Sequence, residues 1–266
     1  PNHDLQGFTV AAATTQALQA LAQRQRLTLN TVIQGLWAIL LGQISGDTDL
    51  VFGATTAGRP PTLADVDKMV GLFINTLPVR VQLTPEQPIS QWLKAIQTQQ
   101  SQARQYEHSP LNQIQRWSDV PAGTPLFESL IVFENYRVDP AVISAQTELQ
   151  ILSVTTARNN NYPLTLRVLP REDFVLQIMS DRTCFAAETT AGWLNHLDAM
   201  LQWLVAHPDA AVGDWQAHLS SLDRQRQQQQ AQSQAQTRLK KLRTTRRKAV
   251  RAQSNSPSPH QSPQQN

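Results

Sequence analysis

A long and almost wholly apolar stretch, residues 29–45, limits the folds open to this chain more than any other feature. Its apolar residues recur at helical spacing and also fill the remaining sides of the helix: Leu29, Val32, Ile33, Leu36, Trp37, Ile39, Leu40, Leu41 and Ile44. A helix that is apolar all round has to be buried in a sizeable core. Ser45-Gly46-Asp47 ends this helix and turns the chain into a short strand, Leu50–Phe52.

The surrounding pattern alternates helices with strands. Further helices are predicted from a Thr14 or Thr15 cap through Leu18, Leu21 and Ala22, from a Ser90 cap to about Glu107, over Leu111–Trp117, and from about Glu188 to Ala206. Strands are predicted at Leu130–Phe133, at Leu149–Val154, and in a hairpin that joins residues 164–168 to 174–178 through a turn at Pro170–Asp173. These elements predict one layered α/β unit over residues 1–220.

Charge divides the chain near Arg224. All 20 acidic residues and 13 of the 23 basic residues precede it, so the body has a net charge of −7 and the remainder +10. The tail, residues 221–266, holds a Gln-rich tract and a basic segment, Leu239–Arg251, without a periodic apolar face, which predicts a disordered or transiently helical segment. Its charge would attract phosphate weakly, but the tail has no aromatic residue to stack on bases, which argues against a nucleic-acid binder.

The ends of the chain and its cysteine content bear on its cellular setting. A single cysteine, Cys184, excludes an intrachain disulfide and suits a reducing compartment, so we expect a cytoplasmic protein. No apolar run approaches the roughly 18 residues of a membrane span, and the N-terminus does not have the composition of a signal peptide. Because the chain does not begin with Met, we expect it to start inside a longer polypeptide.

Motifs for several common chemistries are missing from the sequence. It contains no glycine-rich phosphate loop, no HExxH and no CxxC, and its six histidines are scattered without metal-ligand spacing. Cys184, beside Phe185, is interpreted as a small core residue, and His108 as a residue at a helix end. No nucleophile, base and orienting group form a complete set in the sequence, so no catalytic or metal-binding residue is predicted.

One stretch, Val51–Arg80, nevertheless has the features of a site. Two strand-like runs, the second from Val70 to Val81, are joined through Gly58-Arg59-Pro60-Pro61. The planar fork of Arg59 suits a carboxylate partner, although a solvated loop arginine is the simpler alternative. Asn75 and Thr76 interrupt an apolar run, so they either hydrogen-bond to backbone or line a cavity.

Five blocks of sequence, in order, carry a family resemblance: TLNTVIQGLWAILLGQISGDTDLVFGATTAGRPP, MVGLFINTLPVRV, YEHSPLNQIQRWS, PLFESLIVFENY and NYPLTLRV. Over about residues 5–205 the chain resembles the condensation domains of nonribosomal peptide synthetases. An epimerisation domain is less similar, because an acidic, His-containing segment would be expected where this chain has AGRP.

The resemblance implies a fold and an activity. The expected fold is the C-terminal lobe of the chloramphenicol-acetyltransferase-like pair of lobes, a mixed sheet flanked by helices, with a tunnel between the lobes. Phosphopantetheine arms of two carrier proteins would enter the tunnel from opposite ends, so no cofactor is bound directly. The acceptor amine would attack the donor thioester, helped by the second His of an HHxxxDG motif in the N-terminal lobe. This sequence has no His-His pair, so the catalytic His is expected outside the chain.

Site residues follow from the resemblance residue by residue. Arg59 is expected to pair with the Asp of the HHxxxDG motif and to hold the two lobes in register. The residues expected to line the tunnel are Gly71, Phe73, Asn75, Thr76, Asn161 and Tyr162. Tyr106 and Leu111 depart from the family block that they match, which carries a His and a Phe there.

The expected partners are the N-terminal lobe and carrier proteins. The Gln-rich and basic tail resembles the ends of synthetase proteins where no adenylation domain follows, which implies a docking or interaction role for it. The alternative to half of an enzyme is a degenerate, non-catalytic module that docks carrier or partner domains. The sequence does not identify the donor, the acceptor or the product.

Overall fold

The computed structural model describes residues 2–60, 63–121, 123–134, 161–170, 174–228 and 231–232. In chain order the strands and helices are β1 (His3–Thr9), α1 (Ala12–Gln25), α2 (Leu29–Ser45), β2 (Asp49–Thr56), β3 (Asn75–Gln82), α3 (Ile89–Ala103), α4 (Leu111–Trp117), β4 (Ser129–Phe133), β5 (Leu164–Pro170), β6 (Phe174–Asp181) and α5 (Ala187–Ala206). Short 3-10 turns lie at Val66–Lys68 and Arg104–Tyr106, and residues 212–228 are helical. The chain divides into two compact units, Pro1–Leu219 and Ser220–Asn266.

The six strands of the first unit form one mixed sheet in the order β1-β6-β5-β4-β2-β3. The pairs β1/β6, β5/β6 and β2/β3 are antiparallel, whereas β4 runs parallel to both β2 and β5. Parallel neighbours need long crossovers, and helices α3 and α4 lie in the one between β2 and β4. This layered arrangement, a mixed sheet flanked by helices, agrees with the fold class predicted from the sequence.

The core lies between the helices and one face of the sheet. Leu36 and Trp37 of α2 are fully buried, and Phe52, Leu166 and Leu176 belong to the same apolar cluster on the strands. Burying each large apolar side chain contributes about 1.5–3 kcal/mol, so this cluster supplies most of the stability of the first unit. The all-round apolarity of α2 is explained by its central place in this cluster.

Several predicted elements are confirmed. Helix α2 begins after Thr28, whose hydroxyl accepts a hydrogen bond from the backbone of Thr31 (3.1 Å), and it ends at Gly46 with the left-handed φ of 80°. The hairpin is antiparallel with Leu166 opposite Ile178. Helices α4 and α5 and strand β4 also lie where the pattern predicts them, within a residue. The predicted strand Leu149–Val154 lies outside the described residues.

Other predictions are wrong at the ends of elements. Helix α1 begins at Ala12 instead of at a threonine cap, because the backbone of Thr15 already donates to the carbonyl of Ala11 (2.9 Å). Helix α3 begins at Ile89, since Pro88 accepts the first intrahelical bonds, so Ser90 is not its cap. It ends at Ala103, and a 3-10 turn follows.

Two further expectations fail for reasons of pairing and exposure. Only Asn75–Gln82 of the second predicted strand is extended, because β2 ends at Thr56, opposite Asn75, and offers no partner to residues 70–74. Cys184 is exposed, not a core residue. Strand β1 does not follow from the sequence pattern, because an edge strand with few apolar residues lacks a periodic signal.

Within the described residues no single helix has the length and apolarity needed to cross a membrane. Helices α1 and α2 meet that requirement only when taken together, across a bend of 104°. Helix α2 is the helix buried at the centre of the core, so its apolarity already has an explanation.

Candidate functional site

The loop between β2 and β3 folds back on itself at Gly58. This residue has φ 63°, and a Cβ added to it would lie 1.7 Å from the carbonyl oxygen of Phe73. Only glycine accepts both the left-handed backbone and such a close approach. The start and the end of the loop are therefore pressed together at this point.

Arg59 lies inside the loop and organises it. Its guanidinium donates hydrogen bonds to the carbonyls of Val66 and Met69, the latter at 3.0 Å. The same group lies 4.3 Å from the centroid of the Phe73 ring, a cation–π contact. Arg59 is thus partly buried against its own loop, so it is not the freely solvated arginine of the simpler alternative. Its pairing with an aspartate of another lobe stays a prediction.

The outer side of this loop is apolar and faces solvent. Val70 is fully exposed, Leu72 is 90% exposed and Ile74 about half exposed. Gly71 lies between them, and a Cβ there would lie 3.2 Å from the Phe73 ring. Contiguous exposed apolar side chains of this kind mark an interaction surface more often than an isolated leucine does.

Asn75 joins the loop to the turn that follows α3. Its Nδ2 donates to the carbonyls of Glu107 and Ser109, both at 2.8 Å. Of the two alternatives drawn from the sequence, hydrogen bonding to backbone is the one observed for this side chain. The turn that it holds leaves Tyr106 and His108 exposed.

Thr76, Phe127 and Tyr162 meet on the other face of the sheet from the core. The Phe127 and Tyr162 rings are stacked, with centroids 5.4 Å apart. A Cβ on Gly53 would lie 2.4 Å from Phe127 and 2.9 Å from the methyl group of Thr76. Burial raises the pKa of Tyr162, and Asn161 beside it is exposed.

The structure thus brings Arg59, Gly71, Phe73 and Asn75 together around one loop, while Thr76 and Tyr162 border Phe127. Phe127 is not among the site residues predicted from the sequence. It lies in the PLFESL block, but its place on the sheet depends on a distant glycine, Gly53, which no local pattern reveals. Whether these residues line a tunnel stays a prediction.

The far end of the β2–β3 hairpin carries a surface ion pair. Arg80 donates to Asp49 at 2.6 and 2.8 Å, and this contact lowers the pKa of Asp49 to about 2. A groove of about 340 Å³ between β3 and α3 lies nearby, lined by Gln82, Gln87 and Trp92 among others. None of the predicted site residues lines this groove.

The described residues do not assemble a metal site. Within them, no group of three His, Cys, Asp or Glu side chains could hold a metal ion. His207 and His218 both stack on Trp203, with centroids 4.6 and 5.4 Å apart. Burial, and then the charge of His207, lower the pKa of His218. The two histidines belong to this aromatic stack, whereas the candidate site is built from backbone contacts and aromatic rings.

Comparison with curated proteins finds relatives of high similarity. One polypeptide of the linear gramicidin synthase of Brevibacillus parabrevis is 41% identical over 224 residues, covering 84% of this chain and 3% of the relative. Chondramide synthase of Chondromyces crocatus is 38% identical over 217 residues, covering 82% of this chain and 6% of the relative. The chain therefore spans only a small part of the curated relatives that it matches.

Solved structures share the fold at low sequence identity. A four-domain nonribosomal peptide synthetase bound to AMP and glycine superposes with a TM-score of 0.70 at 18% identity, over 80% of this chain and 17% of that one. The first condensation domain of the calcium-dependent antibiotic synthetase, with a substrate analogue, gives 0.62 at 15% identity, over 79% of this chain and 46% of that one.

The family model described as "Condensation domain" matches residues 2–230, which is most of the chain. Its match includes the loop built around Arg59, the strand that begins at Asn75 and the Phe127–Tyr162 stack. The chain belongs to the family of condensation domains found in nonribosomal peptide synthetases.

Proposed function

We propose that this chain is the C-terminal lobe of a condensation domain that forms an amide bond between substrates carried as thioesters. One observation carries the proposal. This chain covers just under half of the length of each solved condensation-domain chain, 46% in one and 49% in another, although the family model matches residues 2–230 of this chain. Half of a two-lobed domain accounts for both facts. The exposed apolar surface at Val70 and Leu72 gives the missing half a place to bind.

The reaction needs little from this lobe beyond placing the substrates. The acceptor amine attacks the donor carbonyl, the C–N bond forms, the C–S bond breaks, and the sulfur leaves as the thiol once the amine proton has been transferred. Both substrates arrive on phosphopantetheine arms of carrier proteins, so the lobe itself binds no cofactor. The residues that would border their path are Gly71, Phe73, Asn75, Thr76, Asn161 and Tyr162.

The base for this step is proposed to lie in the preceding lobe. Among the described residues, His108 is the histidine close to the loop through the Asn75 contacts, and it lies on an exposed turn. Arg59 would supply structural support: the guanidinium has five N–H donors, and the contacts with Val66 and Met69 leave some of them for an aspartate across the boundary. Such a pair would order the boundary between the lobes.

A reconstitution experiment tests the proposal. The chain is expressed alone and together with the proposed N-terminal lobe, and each sample receives two carrier proteins loaded with aminoacyl groups. Dipeptidyl thioester, detected by mass spectrometry, is expected only when both lobes are present. Product from the chain alone would contradict the proposal. An absence of product with an intact upstream HHxxxDG would favour the docking module.

The tail calls for a separate interaction test. Its basic segment, Leu239–Arg251, is proposed to dock an acidic surface of a partner protein in the cytoplasm. Binding should weaken as salt rises, because the contacts are between exposed charges. Loss of binding on replacing the basic residues with Gln, with the folded body unchanged, is the expected result.

A further inference from the structure

We propose that Asn75 is a positioning residue that holds two wall segments of the tunnel, loop 69–74 and turn 104–110, as one unit. The role at the tunnel rests on the proposed function, whereas the mechanical link between the two segments does not. Asn75 would act through backbone contacts instead of donating hydrogen bonds to substrate. This assigns to it a different task from that of a residue that merely lines a cavity.

The hydrogen bonds of Asn75 use both hydrogens of its amide. Nδ2 lies 2.8 Å from the carbonyl oxygen of Glu107 and 2.8 Å from that of Ser109. An amide nitrogen has two hydrogens, so neither is left for a substrate. The amide orientation is also determined, because the opposite orientation would place the side-chain oxygen against two carbonyl oxygens.

The position of Asn75 is fixed by strand pairing and by the contacts of its neighbours. Asn75 is the first residue of β3 and lies opposite Thr56 in the last pair of the β2/β3 ladder. Two residues before it, the carbonyl oxygen of Phe73 packs against Gly58 and the Phe73 ring packs against Arg59. A displacement of Asn75 would therefore move residues 69–74 with it.

The turn that Asn75 holds, residues 104–110, has few other hydrogen bonds that fix its position. The backbone of Glu107 donates to Arg104 (3.2 Å) and that of Ser109 to Tyr106 (2.8 Å), both within the turn. The two Asn75 bonds cross 32 and 34 residues of sequence, so they tie the turn to the sheet. Ser109 is buried, while Tyr106 and His108 on the same turn are exposed. Losing Asn75 would release this turn and leave the core untouched.

Hydrogen–deuterium exchange on the whole chain tests the link without any activity. Asn75→Ala should raise amide exchange about tenfold at the hydrogen-bonded amides of the two segments, those of Met69, Glu107 and Ser109, the effect of losing two hydrogen bonds, while exchange in α2 stays unchanged. Asn75→Asp should raise it further, because a carboxylate of the same size would face two carbonyl oxygens. Asn112→Ala, an exposed asparagine at the start of α4, is the matched control and should change neither segment.

The outcomes separate the inference from its rivals. Equal exchange in wild-type protein and Asn75→Asp would overturn it, and so would a rise that includes α2, which would indicate general destabilisation. In the reconstituted two-lobe domain, Asn75→Ala should lower kcat about tenfold at unchanged KM for both carrier proteins, as expected for misplaced substrates. A raised KM with unchanged kcat would overturn the positioning role. Absence of condensation by the wild-type domain, with the exchange result intact, would count against the proposed function alone.

Discussion

Different kinds of contact stabilise two regions of the molecule, the helix-covered face of the sheet and the loop between β2 and β3. Around α2, apolar side chains such as Trp37 are fully buried and packing provides the stability. In the loop, Val70 and Leu72 face solvent, while polar groups of Arg59 and Asn75 turn inward to hold backbone carbonyls. A loop held in this way keeps its shape while its apolar side chains stay exposed to solvent.

The two regions should differ in how they tolerate substitution. The core draws on many interchangeable dispersion contacts, so a change there is felt in proportion to the volume removed. The loop draws on a few specific contacts, each worth about 1 kcal/mol, so a change there is local. Substitutions in the two regions test whether they differ in this way.

The largest effect is expected from Trp37→Ala. This tryptophan is fully buried in α2, and removing such a side chain costs about 3–5 kcal/mol through lost burial and a residual cavity. Chemical denaturation followed by circular dichroism measures the change. Trp117→Ala, at a position 71% exposed, is the control and should change the unfolding free energy by less than about 1 kcal/mol. Similar losses for both variants would remove the basis of the contrast.

Gly58→Ala should have the next largest effect. The new Cβ would overlap the carbonyl oxygen of Phe73 in addition to adopting a left-handed φ, and we expect a cost of about 1–3 kcal/mol. Gly46→Ala is the matched control, since Gly46 has φ 80° but open space around it. Gly46→Ala should lower the unfolding free energy by the conformational cost alone, about 1 kcal/mol. Limited proteolysis should cut the loop of the Gly58 variant faster, and equal behaviour of the two variants would show that the close approach is unimportant.

The contrast also explains which features the sequence could predict. The β5/β6 hairpin follows from spacing, because burial on one face imposes a period, whereas α2 follows from an apolar run that fills all sides of a helix. The apolarity of residues 70–74 predicts a strand, but their exposure arises from the contacts of Arg59 and Gly58 across the loop. Such contacts depend on which residues lie close in space, and no periodic pattern in the sequence indicates them. The family resemblance predicts Arg59 and Asn75 as site residues but gives no indication of the carbonyls that they bind.

Acidification should lower the unfolding free energy of the first unit through His218. Burial and the charge of His207 lower its pKa, so the folded state takes up this proton less readily than the unfolded chain, whose histidine titrates near 6.5. The contribution of His218 is therefore fully present above pH 6.5 and is lost as the pH falls toward the lower, folded-state pKa. The unfolding free energy, measured from pH 7.5 to 5, should fall less in His218→Gln. An unchanged slope in that variant, with exposed His108→Gln as the control, would contradict this.

The smallest effect on stability is expected from Leu72→Ser, on the apolar surface of the loop. Leu72 is 90% exposed, so its replacement should change the unfolding free energy of the lobe by less than about 0.5 kcal/mol. If the surface receives the other half of the domain, the same change should weaken association of the two halves expressed as separate chains, as measured by co-purification. Leu5→Ser, an exposed leucine on the opposite edge strand β1, is the control and should leave association intact. A loss of lobe stability comparable to that of Trp37→Ala would mean that the loop is part of the core after all.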